Sequence, residues 1–325
     1  MSIKQKLKEN KTIRSFGKRF NIHSQFRQDA KDFSKHYLET ANENGDYRYS
    51  IMLLVHSLEK GMCMPNPRPF GLDKVRELMS QLKAYPDNER SDFEYGLGIS
   101  VLFAWKEFFS DRGWNNERVY LDVVSFLKGK EKPEGITAGT KVYRPAKNPD
   151  AEKAYNSILS RHSVRDYQDR KIDLADVQFA LKCFIETPTA CNRQMCRVYY
   201  VANPEITELL NRVVIGIPGF NKKTVQYFIV TYDLASFAYS GERQQGLFNA
   251  GLCTMSFING LHVKGIGSCC LQWSNKNKQD IEVRKKLGLS SSERIGIVIG
   301  AGYYLDENTI PCSVRRKPND VFTII

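Results

Sequence analysis

Arg161-His162-Ser163-Val164-Arg165 places two guanidinium groups four residues apart around a hydroxyl, between two stretches of helical pattern. Guanidinium forks chelate phosphate oxygens in pairs and a serine hydroxyl adds a further hydrogen bond, so this pentapeptide is a candidate phosphate site. An exposed Arg/Ser turn has the same composition and is the competing account. A second cluster is Thr187-Pro188-Thr189-Ala190-Cys191-Asn192-Arg193-Gln194. Pro188 stops the preceding helix, and in the loop behind it Asn192 and Gln194 carry amide donors and acceptors able to read the edge of a heterocycle; a plain loop is the alternative. A third element is the apolar run Leu247–His262 leading into Gly265–Trp273, and a fourth is the cationic turn Ser313-Val314-Arg315-Arg316-Lys317-Pro318.

Other candidate motifs fail on their context. Ile299-Gly300-Ala301-Gly302 imitates the start of a dinucleotide-binding fingerprint, but only 23 residues follow Gly302 and the third glycine is missing. Gly265-Ile266-Gly267 follows a helix and precedes a strand, the reverse of the required order, and no GxxxxGK[ST] phosphate loop occurs. The eight cysteines form no CxxC and the five histidines form no HxxxH pair, so no metal site is expected. No secretion signal precedes the cysteines, which favours reduced thiols over disulfides.

The clusters need elements to hold them. Apolar residues recur at helical spacing at Ile51, Leu54, Val55 and Leu58, at Val75, Leu78, Met79 and Leu82, and at Val101, Leu102, Trp105, Phe108 and Phe109, which predicts a small helical bundle between about Asp46 and Leu127. Between its first two helices, Gly61 is placed to cap a helix, and Pro65, Pro67 and Pro69 force an extended path, either a connector or a binding surface. Residues 128–150 are rich in Lys, Gly and Pro and read as a linker. This divides the chain into a helical part at 1–145 and a second part at 146–325. In the latter, helices are expected at Ala151–Ser160, Leu174–Glu186, Pro204–Val213, Gly246–His262 and Lys278–Leu287. Strands are expected at Arg197–Ala202, Gln226–Tyr232, Gly267–Gln272 and Arg294–Tyr304. Mixed α+β is the expected class, with the strands sandwiched by helices.

With 42% hydrophobic and 11% aromatic residues, both parts can bury a core. No apolar run approaches the roughly 20 residues of a membrane span, and the basic N-terminus lacks the apolar stretch of a signal peptide, so a cytoplasmic location is expected. Half of the formal charge of +12 falls in residues 1–40, which hold ten Lys/Arg against four Asp/Glu. Ile3, Leu7, Ile13, Phe16 and Phe20 lie among those lysines at loose helical spacing. The stretch is either a solvated helix or a surface making weak contact with anionic lipid. No nucleic-acid-binding motif accompanies the positive charge, and no nucleic-acid partner is expected.

In order and spacing, the four clusters resemble the nitroreductase family of FMN-dependent oxidoreductases. Arg161, His162, Ser163 and Arg165 match its Arg-[Arg/His]-Ser-x-[Arg/Lys] opening; Pro188, Thr189, Asn192 and Gln194 match its Pro-[Ser/Thr]-x-x-Asn-x-Gln loop. Ala250–His262 with Gly265-Ile266-Gly267 matches its core helix and following turn, and Arg316-Lys317-Pro318 its basic residue before proline. The resemblance spans about residues 150–325 and implies a mixed, mostly antiparallel sheet between helices. It also implies FMN as cofactor, NAD(P)H as electron donor, a small-molecule acceptor, a ping-pong cycle, and a homodimer with the flavin at the interface.

By that resemblance Arg161, Ser163 and Arg316 hold the FMN phosphate, with His162 in the same segment, and Arg165 lies near the N1–C2=O side. Asn192 meets the pyrimidine edge in a loop that includes Pro188, Thr189 and Gln194, and Cys270, Leu271 and Gln272 border N5, the hydride-accepting atom. No side chain stands out as an acid–base catalyst. Met195 and Cys196 depart from the Pro and aromatic residue usual after the Asn-x-Gln, and Gln272-Trp273 replaces a Glu-Gly pair. Trp273 is either the roof of a substrate pocket or core. Cys269 and Cys270 are expected as buried thiols rather than a redox pair, because adjacent cysteines form only strained disulfides. A rival account makes the chain a flavin-fold binding or regulatory protein with reduced catalysis. The stretch His56–Met62 with Pro65–Pro69 is similar to N-terminal regions of nitroreductase-like proteins of surface-polysaccharide loci, which implies a role in surface-polysaccharide metabolism and a sugar-nucleotide, glycan or lipid-linked substrate bound by the first part.

Overall fold

The computed structural model describes residues 11–142 and 150–325; the expected apolar positions Ile3 and Leu7 and residues 143–149 of the expected linker lie outside them. Two helices open the described chain, α1 (Lys11–His36) and α2 (Leu38–Glu43). A bundle follows, made of α3 (Arg48–Met62), α4 (Leu72–Ala84), α5 (Phe93–Ser110) and α6 (Arg118–Leu127). Its core is the set that the periodicity picks out: Ile51, Leu58, Val75, Leu78, Leu102, Trp105 and Phe109 are all buried in one cluster. Gly61 does not cap α3, which continues to Met62; a Cβ there would collide with the Phe70 ring, so the glycine admits that ring against the helix.

Residues 130–142 are irregular, with a turn at 134–135, and are tied to the bundle. Ser100 Oγ donates to Ile136 O and accepts from Ala138 N–H, and Glu59 Oε1 accepts from Gly139 N–H at 3.1 Å.

The second part runs α7 (Ala151–Leu159), α8 (Leu174–Ile185), β1 (Cys196–Tyr200), α9 (Pro204–Val213), β2 (Gln226–Asp233), α10 (Gln245–Val263), β3 (Ile266–Leu271), α11 (Asn277–Lys286) and β4 (Glu293–Tyr303). The fold is α+β, and each expected strand and helix is present within one or two residues of its predicted bounds. The sheet order is β1-β2-β4-β3, and every pair is antiparallel. The parallel component is one bridge, Ser163 beside Ser268 of β3.

Strand alternation distributes the core between two faces. Phe228, Val230, Ile299 and Ala301 meet α8 and α10, while Tyr227, Ile229, Ile295 and Val298 meet Leu209 and Leu210 of α9 and Val283 of α11. The sheet is therefore a filled sandwich. Trp273 packs against the second of these faces and donates its indole N–H to Asp280 at 2.8 Å, a structural placement in the core's margin. Met195 and Cys196, the departures from the resemblance, are both buried where the loop enters β1.

α1 to α3 are bound to this sandwich as well as to the bundle. Phe33 stacks on Phe237, Leu38 N–H donates to Phe237 O, Asp32 pairs with Arg294 at 2.6 Å, and Tyr49 hydroxyl donates to Asp233 at 3.1 Å.

Gly302 in β4 has a particular task. A Cβ there would lie 2.5 Å from Cβ of Tyr167, and the Tyr167 hydroxyl donates to Val164 O at 2.7 Å and to Gly300 O at 3.0 Å. The glycine thus lets Tyr167 fasten the 161–165 segment to the sheet. Gly302→Val is expected to lower stability by roughly 1–3 kcal/mol through overpacking, measured by urea denaturation; an unchanged midpoint would show that Tyr167 repacks freely.

Candidate functional site

Residues 160–168 leave α7 and run extended beside β3. Val164 N–H donates to Ser268 O at 3.1 Å and Gln168 N–H donates to Tyr303 O at 3.0 Å. In an extended segment alternate residues share a side. With Val164 buried, Arg161, Ser163 and Arg165 fall on the opposite side, His162 is exposed, and Arg165 reaches back to Ser163 O at 3.4 Å. Among the described residues neither Arg161 nor Arg165 forms an ion pair with a carboxylate. Two unneutralised guanidiniums flanking a hydroxyl are the donor set an anionic phosphate requires.

The start of this row is held by residues the sequence did not single out. His262 bonds Ser160 Oγ at 3.0 Å through Nε2 and Tyr304 hydroxyl at 2.8 Å through Nδ1. Burial, with Arg161 nearby, pushes the His262 imidazole below its ordinary range, so it serves as a neutral spacer.

β3 supplies the next group. Cys270 and Gln272 are exposed and Leu271 is buried. Cys269 is buried and Cys270 is not, which corrects the expectation of two buried thiols: consecutive strand residues point to opposite faces. Burial pushes the Cys269 thiol up, against Arg165 and a Ser163 hydrogen bond that pull it down. Cys270 opens on a shallow apolar groove along α10, lined by Leu247, Gly251, Thr254 and Met255.

The loop before β1 is built around a buried cation. Arg193 is 1% exposed. Its guanidinium donates to Ala190 O at 2.9 Å, to Ser236 O and to both carboxylate oxygens of Glu242. Three of its neighbours, Cys191, Asn192 and Gln194, adopt left-handed backbone with φ of 52°, 53° and 48°. Each such non-glycine residue costs about 1–2 kcal/mol. Thr189 Oγ1 accepts from Gln194 N–H at 2.9 Å and completes the turn. The result is that Arg193 points inward while Asn192 and Gln194 are exposed, with Pro188 also at the surface.

The structure therefore brings the predicted residues together as two groups. Arg161, His162, Ser163, Arg165, Cys270, Leu271 and Gln272 gather at the β3 edge; Pro188, Thr189, Asn192 and Gln194 gather at the β1 edge. β1 and β3 are the outer strands of the sheet, three inter-strand steps or about 14 Å apart at the least. Arg316 belongs to neither group and lies on the exposed C-terminal tail. Arg193 and Glu242 were missed because a buried arginine in a loop has no periodicity to betray it. The one sequence signal was a long charged residue between two exposed amides.

Residues 158–303 match the sequence profile of the Nitroreductase family, and this stretch is a nitroreductase-family domain. Among solved structures, the chain is similar to an FMN-dependent nitroreductase from Clostridium difficile R20291, with 18% identity, 51% of this chain and 94% of the other covered, and a TM-score of 0.41. It is also similar to a candidate nitroreductase in complex with FMN from Desulfovibrio desulfuricans (18% identity, 55% and 98% covered, TM-score 0.45). A third is a candidate NADH oxidase from Clostridium acetobutylicum (16% identity, 51% and 98% covered, TM-score 0.43). A comparison with curated proteins gives no match.

Burial alone would raise the Glu242 carboxyl, but Arg193 and the Ala238 and Tyr239 N–H groups hold it below its ordinary value. A depressed folded value means that the stabilisation is complete above the ordinary carboxylate range and disappears as pH falls through the depressed value. Arg193→Met is expected to cost about 3 kcal/mol by leaving Glu242 unpaired. It should also remove Glu242's share of the acid-side loss from the stability–pH curve; an acid limb identical to that of the wild type would refute the pairing.

Proposed function

We propose that the chain is an FMN-dependent oxidoreductase that takes electrons from NAD(P)H and delivers them to a small organic acceptor. The observation that carries this is the row Arg161, Ser163 and Arg165, three phosphate-competent groups on one side of a strand-like segment without carboxylate partners, inside a nitroreductase-family domain. When bound, FMN would supply the redox chemistry, in two half-reactions of a ping-pong cycle.

The protein's part is binding and electrostatics. Arg161 and Ser163, joined by Arg316 of the tail, would hold the phosphate. Arg165 would place a cation at the N1–C2=O side, which favours the electron-rich form of the ring. Asn192 and Gln194, with Pro188 and Thr189 behind them, would meet the pyrimidine edge, and the Cys270–Gln272 backbone would border N5. No protein acid is assigned to that step, and solvent would deliver the proton. Residues 146–325 would form the FMN-binding part and residues 1–145 the helical part.

Since the two groups sit on opposite edges of one sheet, a second copy of the chain would unite them. The exposed Leu247, Phe248, Leu252 and Met255 along α10, together with Val321, Phe322 and Ile324 of the tail, support such a homodimer, because apolar surface of this extent favours burial. Phe16, Phe20 and Phe26 are exposed beside Arg19 and Arg27 on α1, a face suited to weak contact with an anionic membrane surface.

Purified protein is expected to carry or take up FMN, read from visible absorption; a colourless preparation that ignores added FMN overturns the proposal. Arg161→Ala/Arg165→Ala and Asn192→Ala/Gln194→Ala chains should each lose flavin alone. Co-expressed, they should recover about a quarter of the wild-type content, since half of random dimers regain one of two sites. No recovery would place both groups in a single-chain site.

A further inference from the structure

A cavity of about 290 Å³ lies where the helical bundle meets the 189–194 loop. Its walls bring His56 and Glu59 of α3 to the same space as the exposed amides of Asn192 and Gln194, with Thr137 of the 130–142 segment at its margin. None of these bundle residues is used in holding the cofactor under the function proposed above. Among the described residues no arginine or lysine lines the cavity, and the remaining walls include Val55, Phe93, Leu97 and Ile136.

The polar end is built rather than incidental. Glu59 Oε1 accepts the Gly139 N–H at 3.1 Å, and Glu59 Oε2 lies 3.5 Å from His56 Nδ1. The first contact ties the carboxylate to the backbone of the 130–142 segment. The second sets the carboxylate on the Nδ1 side of the ring, so that Nε2 is the nitrogen left to meet a ligand. Both side chains are largely covered, with 31% and 22% of their surfaces accessible. One carboxylate and no cation disfavour an anionic ligand; a wall that is part apolar and part polar, with the His56 imidazole held at its polar end, suits an uncharged ring that carries a hydroxyl donor.

We propose that this cavity is the acceptor pocket of the enzyme, and that Glu59 positions His56 to receive a hydrogen bond from the hydroxyl of a neutral hydroxyaryl ligand. The bundle then roofs the Asn192/Gln194 edge of its own chain. In a dimer assembled as above, it would cover the site whose phosphate end the other copy supplies. The proposal rests on the FMN reading for the meaning of Asn192 and Gln194, and not for the cavity itself.

The test is calorimetric titration of the FMN-loaded protein with 4-hydroxybenzaldehyde and with 4-methylbenzaldehyde, which differ in the hydroxyl alone. Flavin content is read separately by absorbance. Wild type is expected to bind the hydroxy compound about tenfold more tightly than the methyl compound, the worth of one directed hydrogen bond. His56→Phe should erase that preference while flavin content stays at the wild-type level, and Glu59→Gln should reduce it. Thr137→Trp, at an exposed position on the cavity margin, should abolish binding of both compounds without touching the bundle core. Equal binding of both compounds by wild type, no binding of either, or a preference that survives His56→Phe overturns the proposal. Absence of flavin from the wild-type protein overturns instead the function on which it rests.

Discussion

Everything about this site follows from the position of two segments at the two edges of a four-stranded antiparallel sheet. Arg161–Arg165 is bridged to β3 and the 189–194 loop feeds β1, with β2 and β4 hydrogen-bonded between them. A sheet is stiff across its strands because each inter-strand spacing is set by backbone hydrogen bonds. The two segments cannot approach one another by any modest adjustment of the chain. The long helix α10 lies across one face of that sheet, buried along Ala250, Cys253, Phe257 and Leu261 and bare along Leu247, Phe248 and Met255.

Each segment is held in shape by buried groups. At the β3 edge, Tyr167 reaches Val164 O and Gly300 O through the space left by Gly302, and His262 pins Ser160. At the β1 edge, the buried Arg193 collects carbonyls and the Glu242 carboxylate, and so sustains three left-handed residues that would not persist in a free loop. In both places the exposed polar residues are presented by an anchored neighbour, which keeps them oriented before anything binds.

The helical residues that precede the nitroreductase-family domain are tied to both the sheet and the site. Tyr49 bonds Asp233, Phe33 stacks on Phe237 and Asp32 pairs with Arg294, so α1 to α3 are seated on the sandwich. Through α3 the bundle also borders the loop that carries Asn192, which is why a cavity exists there. Among the described residues 11–40 the charge is accordingly of two kinds: Asp32 is engaged with the sheet, whereas Arg19 and Arg27 lie beside exposed phenylalanines.

The elements and the residue types of the clusters are legible along the chain. Helical spacing at Ile51–Leu58 and Val75–Leu82, the apolar runs of β2 and β4, and the Arg-x-Ser-x-Arg period are local patterns, and local patterns survive without knowledge of the fold. The same holds for the family resemblance, which uses order along the chain. Tertiary structure alone decided which clusters meet. Two motifs some twenty to thirty residues apart in sequence end on opposite sheet edges because strand order is set by pairing across the whole domain. Only packing could separate Cys269 from Cys270, give Gly61 and Gly302 the task of admitting an aromatic ring, and bring His56 to face Asn192 across a cavity.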